Sequence, residues 1–86
     1  MKIKFHKNFE NSFKKLDQKL RQKVIDRIGL FVLNPHDQKL KNHALSGNLL
    51  GMRSFSVNGD CSVIFEEIDD YVLVIFLDVG THNQVY

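Results

Sequence analysis

The spacing of apolar positions divides the chain into a helical half and a strand half. From Phe9 to Phe31, apolar residues recur at intervals of three and four, which is the stripe of an amphipathic helix. From Met52 onward the period becomes two, which is typical of strands with one buried face. The change of period near residue 51 therefore predicts helices first and a sheet afterwards.

Local signals set the boundaries of the helical half. Lys2–His6 alternates polar and apolar residues, which predicts a short N-terminal strand. Asn8 is suited to cap a following helix, and Asp17 is suited to begin a second one, so the stripe becomes a two-helix hairpin. The second helix must end by Asn34, because a residue that precedes proline disfavours the helical region.

The strand half contains three predicted strands. Arg53–Val57 alternates, and Asn58–Gly59 predicts a type I′ hairpin turn, since both residue types tolerate positive φ. Ser62–Glu66 is the return strand, and Asp69–Asp70 marks a second turn. Tyr71–Val79 is almost wholly apolar, so it is expected inside the sheet, with helices covering one face.

These elements predict an α+β fold in which an N-terminal strand and a two-helix hairpin precede an antiparallel three-stranded meander. Eighty-six residues suffice for one domain, spanning 1–86. The polar stretch 34–51 is predicted as a connection without regular structure, and connections of that length are often functional.

Composition indicates a cytoplasmic protein that does not enter a membrane. The longest apolar run, Tyr71–Leu77, has seven residues, whereas a membrane helix needs about 20. The N-terminal residues lack the apolar segment of a secretory signal. The single cysteine, Cys61, forms no internal disulfide and is interpreted as a small core residue in a reducing compartment.

Charge is distributed unevenly although the net charge is only +2. Residues 1–43 contain eleven of the twelve Lys and Arg residues and four acids, giving +7, while residues 44–86 carry −5. A positive surface of this kind is suited to a polyanion. A solvated helix face explains the same lysines, so charge alone leaves both interpretations open.

Candidate chemistry lies in the stretch 42–47, around Asp60, and in the C-terminal segment 80–86. Histidine transfers protons near neutral pH, and a base–acid pair of histidines cleaves RNA without a metal ion. His43 and His82 are the candidate pair, with Arg53 as the cation that stabilises the phosphorane. Tyr86 is suited to stack on a base.

Purely structural roles remain open for the same residues. Either histidine suits a surface or capping position, Tyr86 suits the edge of the core, and Asp60 suits the turn that it follows. One cysteine and four histidines show no metal-ligand spacing, so no metal and no cofactor are expected.

The whole chain resembles the RelE/ParE superfamily of bacterial toxin–antitoxin toxins, and within it the YafQ-type mRNA interferases. The resemblance rests on the order of elements, His43-x-Leu45-x-Gly47, Arg53, Asp60 and the ending Gly80-Thr81-His82-x-x-x-Tyr86, which is its most specific part. It implies a ribosome-dependent endoribonuclease that cuts mRNA in the decoding site and is silenced by a cognate antitoxin.

Position by position, the resemblance assigns catalytic roles to His43, His82 and Asp60, and makes Tyr86 the terminal aromatic that positions the mRNA base. The ribosomal A site, ribosomal RNA, mRNA and the antitoxin are then the expected partners, and no membrane is involved. The basic half is expected to dock on ribosomal RNA through the lysines of the two helices, with Lys39 and Lys41 in the loop binding substrate.

Two positions depart from the family patterns. Ser56 stands where YafQ-type toxins carry another histidine, and Ser62 stands where RelE has an arginine. Two alternatives to the nuclease therefore stay open. One is a toxin of the ParE branch, which poisons DNA gyrase, and the other is a non-catalytic relic that still binds its antitoxin.

Overall fold

The computed structural model describes residues 1–86 and contains five strands and three helices. They are, in chain order, β1 (Lys2–Phe5), α1 (Lys7–Lys15), α2 (Gln18–Leu33), β2 (His43–Ala44), β3 (Arg53–Ser56), β4 (Cys61–Ile68), β5 (Leu73–Thr81) and α3 (His82–Val85). None of these helices is both long enough and apolar enough to span a lipid bilayer.

The five strands form one mixed sheet in the order β1-β5-β4-β3-β2. The antiparallel meander β3–β4–β5 is confirmed, and β5 is an interior strand as expected. The predicted N-terminal strand is present as β1 and pairs with β5 in parallel, whereas β2, which pairs with β3, was not predicted. The two long helices lie between β1 and β2 in the chain, and these two strands form the opposite edges of the sheet.

The break between the two long helices is confirmed at Asp17. Its carboxylate accepts a hydrogen bond from the backbone N–H of Leu20 at 2.8 Å, which caps α2. The predicted cap of α1 was wrong by two residues. His6 occupies the cap position, and its Nδ1 accepts from the N–H of Asn8 at 3.0 Å.

The hairpin between β3 and β4 is present, but its predicted turn type was wrong. Neither Asn58 nor Gly59 has a positive φ, so the turn is not type I′. Instead, Asn58 Oδ1 accepts from the N–H groups of Asp60 (2.8 Å) and Cys61 (2.7 Å), forming an Asx turn in a four-residue loop.

The connection 34–51 is more ordered than predicted. It contains 3₁₀ turns at Gln38–Leu40 and Gly47–Leu49, with β2 between them. The turn at Asp69–Asp70 is confirmed, although the left-handed backbone continues through Tyr71 and β5 begins only at Leu73.

The core lies between the two long helices, α1 and α2, and one face of the sheet. Phe31 of α2 is fully buried and contacts one phenylalanine from each of three strands. Its ring centroid lies 4.9 Å from that of Phe55, 5.0 Å from Phe65 and 5.7 Å from Phe76. This aromatic cluster fixes the strands from which the candidate functional residues project.

Candidate functional site

The two faces of the sheet differ in what covers them. Side chains alternate along β3, so Phe55 points into the core beneath α2 and Ser54 points to the opposite side. We call that opposite side the open face. The helix α2 does not cover it, and α1 reaches its margin, where Ser12 Oγ donates to Asp78 Oδ1 at 2.6 Å. Ser56, Ser62 and Gly80 are paired across β3, β4 and β5 and form one row on the open face.

The C-terminal helix α3 folds back over the open face. Gly80 lies directly beneath it, within van der Waals reach of Gln84 and Val85. Gln84 Oε1 accepts from the N–H of Thr81 at 2.9 Å and closes a capping box at the start of the helix. The hydroxyl of Tyr86 reaches across to β3, where it is 2.5 Å from the hydroxyl of Ser54.

His82 begins α3, and Tyr86 follows its last residue one helical turn later, so the two side chains meet. Their ring centroids are 4.3 Å apart, and the rings meet edge to face at 78°. His82 is exposed, and Tyr86 retains 39% of its exposure, so both rings are accessible from solvent. The predicted C-terminal pair is therefore one contiguous surface rather than two separate residues.

His43 lies on the same face at the neighbouring strand. It pairs with Ser54 across β2 and β3, and directly paired residues project to the same side of a sheet. Its Nδ1 is 2.8 Å from the carbonyl oxygen of Lys41. Because a carbonyl only accepts, neutral His43 carries its proton on Nδ1 and leaves Nε2 free to take one.

The structure does not bring Arg53 to this face. Arg53 alternates with Ser54 along β3, so it shares its side of the sheet with Phe55. Its Nε donates to Asn42 Oδ1 at 2.9 Å, and Asn42 in turn donates to the Tyr71 hydroxyl at 3.0 Å. From the core side of the sheet, Arg53 therefore holds Asn42, the residue that precedes His43.

Asp60 lies at the edge of the site. Cys61 pairs with Thr81, so Asp60 and His82 are the next residues along two neighbouring strands. Asp60 is exposed, and its backbone N–H, rather than its carboxylate, is held by Asn58. No hydrogen bond joins the carboxylate to either histidine.

Cys61 is buried, as the sequence predicted. Burial raises the pKa of its thiol above the ordinary value, and the nearby Asp60 carboxylate raises it further, while a hydrogen bond with the backbone of Gly80 partly opposes both. The thiol thus stays protonated near neutral pH and has the character of a small core side chain.

Lys39 and Lys41 are both exposed in the segment that precedes β2. The carbonyl of Lys39 accepts from Arg27 of α2 at 3.1 Å, which ties this segment to the long helix. Lys41 has a left-handed backbone, with φ of 50°, and this conformation presents its carbonyl to His43. The two lysines therefore lie next to His43, in the segment that precedes it.

The site thus unites His43, His82 and Tyr86 on the open face and leaves Arg53 on the other. Sequence reasoning missed Ser54 of β3, which pairs with His43 and whose hydroxyl contacts that of Tyr86 at the end of α3. It also gave no role to Asn42, although this residue was inside a stretch selected for its chemistry. The available signal for Ser54 was its position, since period two places it opposite Phe55.

We predict that Gly80→Ala displaces α3 without unfolding the sheet. A Cβ at this position would lie 2.7 Å from Gln84 Oε1 and 3.3 Å from both Gln84 Cβ and Val85 Cγ1. Gln84 must therefore give up its capping bond to Thr81, at a cost of about 1 kcal/mol of unfolding free energy. Amide NMR shifts of residues 82–86 measure the displacement of α3, and urea denaturation measures the loss of unfolding free energy.

Gly59→Ala is the matched control, since its φ is not positive and nothing lies within 4 Å of the added methyl. It should leave the signals of α3 unchanged. Unaltered α3 signals in Gly80→Ala would contradict the close packing of α3 on β5.

Comparison with known proteins places this arrangement in a family. The chain matches, over residues 1–86, the family described as the bacterial toxin of type II toxin–antitoxin systems, YafQ. A search of curated protein sequences finds no significant match.

Solved structures share the fold over nearly the whole chain. YafQ from E. coli strain BL21(DE3) superposes with a TM-score of 0.82 at 23% identity, covering 98% of this chain and 96% of that one. A copper-bound mutant toxin from Helicobacter pylori gives 0.72 at 25% identity, covering 100% and 99%. The E. coli DinJ–YafQ toxin–antitoxin complex gives 0.78 at 23% identity, covering 98% and 94%. The match of the full chain to the family, together with this shared fold, shows that the protein belongs to the YafQ family of bacterial toxins of type II toxin–antitoxin systems.

Proposed function

We propose that this toxin is a ribosome-dependent mRNA endoribonuclease that acts in the cytoplasm and inhibits translation. The observation that carries the proposal is the placement of His43 and the His82–Tyr86 pair on one open face, joined through Ser54. Two imidazoles on one accessible surface are what acid–base cleavage of RNA requires. Family membership supports the toxin role.

In the proposed reaction, Nε2 of His43 takes the proton from a ribose 2′-OH, because Nδ1 is already protonated toward Lys41. The 2′ oxygen then attacks the adjacent phosphorus and forms a 2′,3′-cyclic phosphate. The bond from phosphorus to the 5′ oxygen breaks, and His82 donates the proton that this leaving oxygen needs. The two imidazoles carry both proton transfers, so the proposed reaction needs no metal ion and no other cofactor.

The remaining residues bind and orient the RNA. Tyr86, with its partly exposed ring, stacks on a base beside the scissile phosphate. Lys39 and Lys41 bind phosphates next to His43 and oppose the charge that develops on phosphorus. Asp60, at the end of β4 nearest to His82, is proposed to orient that imidazole once RNA is bound.

Mapping of mRNA ends tests the proposal. The protein is induced without a partner, polysomes are isolated, and cleavage products are sequenced and tested for 2′,3′-cyclic phosphate ends. We expect translation to stop and new ends with cyclic phosphates to accumulate on ribosome-bound mRNA. Intact mRNA together with gyrase-linked DNA breaks would instead show the ParE type of activity, and intact mRNA and DNA would leave a protein that only binds its antitoxin.

Ribosome binding is predicted to depend steeply on salt. Lysines on the exposed surface of both long helices are available for phosphates, and they are Lys14, Lys15, Lys19 and Lys23. Phosphate contacts release counterions, so the affinity for ribosomes should fall about 10³-fold or more between about 50 and 200 mM salt if six or more contacts form. Sedimentation with purified ribosomes measures it. Binding that ignores salt would mean that these lysines only solvate the helices.

We further propose a cognate antitoxin as the protein partner, because related toxins are seen in complex with antitoxins. An apolar groove between β1 and the helices suits an amphipathic helix, and it is lined by Phe5, Phe9, Phe13, Ile25 and Ile28. A segment that is disordered alone gains order by burying its apolar side in such a groove. Lys14 also lines the groove and is suited to pair with an acidic residue of the segment, and Glu10 lies beside it.

Adding the antitoxin should abolish ribosome binding and cleavage, and the complex should unfold at a higher temperature than the toxin alone. Pelleting assays and thermal denaturation measure these effects. A purified complex that bound ribosomes as tightly as free toxin would contradict neutralisation through these surfaces.

A further inference from the structure

Ser54 is the one buried residue with a polar side chain. It is only 1% exposed, and every buried side-chain polar atom in the protein has a hydrogen-bond partner. For Ser54 that partner is the hydroxyl of Tyr86, which lies 32 residues further along the chain. The hydroxyl of Ser54 on β3 is thus held out of water by the side chain of Tyr86.

The terminal helix depends on such contacts because it cannot be stable alone. It has four residues, far fewer than the number at which isolated helices become stable in water. Its beginning is fixed by the capping box of Thr81 and Gln84, and its packing on Gly80 fixes the middle. The hydroxyl pair is the contact that fixes its end.

The same contact connects the two candidate catalytic histidines. Ser54 is the cross-strand partner of His43, while Tyr86 packs edge to face on His82. We propose that Ser54 is a positioning residue whose hydroxyl anchors Tyr86 and, through that ring, holds the imidazole of His82 at a fixed place beside the His43 strand. The part of this proposal that concerns catalysis rests on the proposed nuclease function.

The hydroxyl pair makes a specific thermodynamic prediction. Ser54→Ala and Tyr86→Phe each remove one half of the same bond and leave the other half unpaired, whereas the double variant leaves an apolar pair. If the bond anchors α3, the exchange rate of the Tyr86 amide in the double variant should not exceed that of the more affected single variant. If the two hydroxyls contributed independently, their fold increases in exchange rate would multiply.

NMR on the whole protein measures the anchoring without any RNA. We expect Ser54→Ala to raise the exchange rate of the Tyr86 amide, which donates to the His82 carbonyl, about fivefold, the equivalent of one neutral hydrogen bond. The ring protons of His82 should also lose the ring-current shift that they owe to Tyr86. Ser56→Ala is the matched control, since its hydroxyl lies on the same strand and face but donates to the Asn58 carbonyl.

Cleavage kinetics measure the catalytic part. Ser54→Ala should lower kcat about 10-fold with little change in KM, because a displaced imidazole impairs proton transfer more than RNA binding. Ser56→Ala should match the wild type in the NMR readouts.

Unchanged His82 signals in Ser54→Ala, or multiplicative effects in the double variant, would overturn the anchor. Altered signals with unchanged kcat would overturn the positioning role. A wild-type protein that cleaves no ribosome-bound mRNA would refute the nuclease, while the NMR measurement still decides the anchor.

Discussion

Replacing His82 with alanine is expected to lower mRNA cleavage at least about 100-fold while the protein stays folded. A positioned acid or base contributes about 10²–10⁴-fold to a rate, and in the proposed reaction no other group protonates the leaving oxygen. The side chain is exposed and contributes nothing to the core, so its loss leaves the sheet and both long helices unchanged. Single-turnover cleavage of mRNA on programmed ribosomes measures the rate.

His36→Ala is the matched control. Its imidazole is also exposed and also meets a tyrosine edge to face, with centroids 5.1 Å apart, but this tyrosine is Tyr71 rather than Tyr86. The variant should cleave at the wild-type rate. If His82→Ala remained fully toxic while His43→Ala did not, protonation of the leaving oxygen would have to be reassigned from His82 to His43.

Local periodicity explains why so much of the fold was predictable. The helical stripe and the period-two segments reflect which side chains are buried, so α1, α2 and the meander β3–β4–β5 followed from the sequence. The pairing of β1 with β5 is a different matter, because it joins residues about 70 positions apart and leaves no local pattern. Likewise β2 has only two residues, which is too short for alternation to be recognised.

The turn at Asn58 shows how side-chain chemistry overrides a dipeptide signal. Asn-Gly favours a type I′ turn because both residues tolerate positive φ. Here the Asn58 side chain accepts two backbone N–H groups, and this stabilises a longer loop with neither residue left-handed. The competing hydrogen bonds depend on the backbone that follows, which the dipeptide does not specify.

Residue type in the sequence selects His43 and His82 as candidates, but it does not show how they are connected. Arg53 was the expected cation for this pair, but its alternation with Ser54 along β3 places it on the core side of the sheet. Ser54 itself resembles any solvent-facing strand serine until α3 folds over it, and that covering depends on tertiary structure.

The largest effect on stability is expected from Phe31→Ala. Phe31 is fully buried at the centre of the aromatic cluster, and deletion of such a ring typically costs about 3–5 kcal/mol. A domain of this length has only about 4–13 kcal/mol of unfolding free energy in total. We therefore expect a large shift of the denaturation midpoint or outright unfolding, measured in urea by circular dichroism.

Leu33→Ala on the same helix is the control, because Leu33 is 85% exposed and its truncation should change the unfolding free energy by about 0.5 kcal/mol or less.

Replacement of the Phe31 ring should also affect the open face, since this ring stacks on Phe55, the neighbour of Ser54 on β3. A Phe31→Leu variant, which keeps most of the buried volume, should therefore remain folded but loosen the contact between Ser54 and Tyr86, seen as faster exchange of the Tyr86 amide. If Phe31→Ala unfolded at the same urea concentration as Leu33→Ala, the core that fixes these strands would have to lie elsewhere.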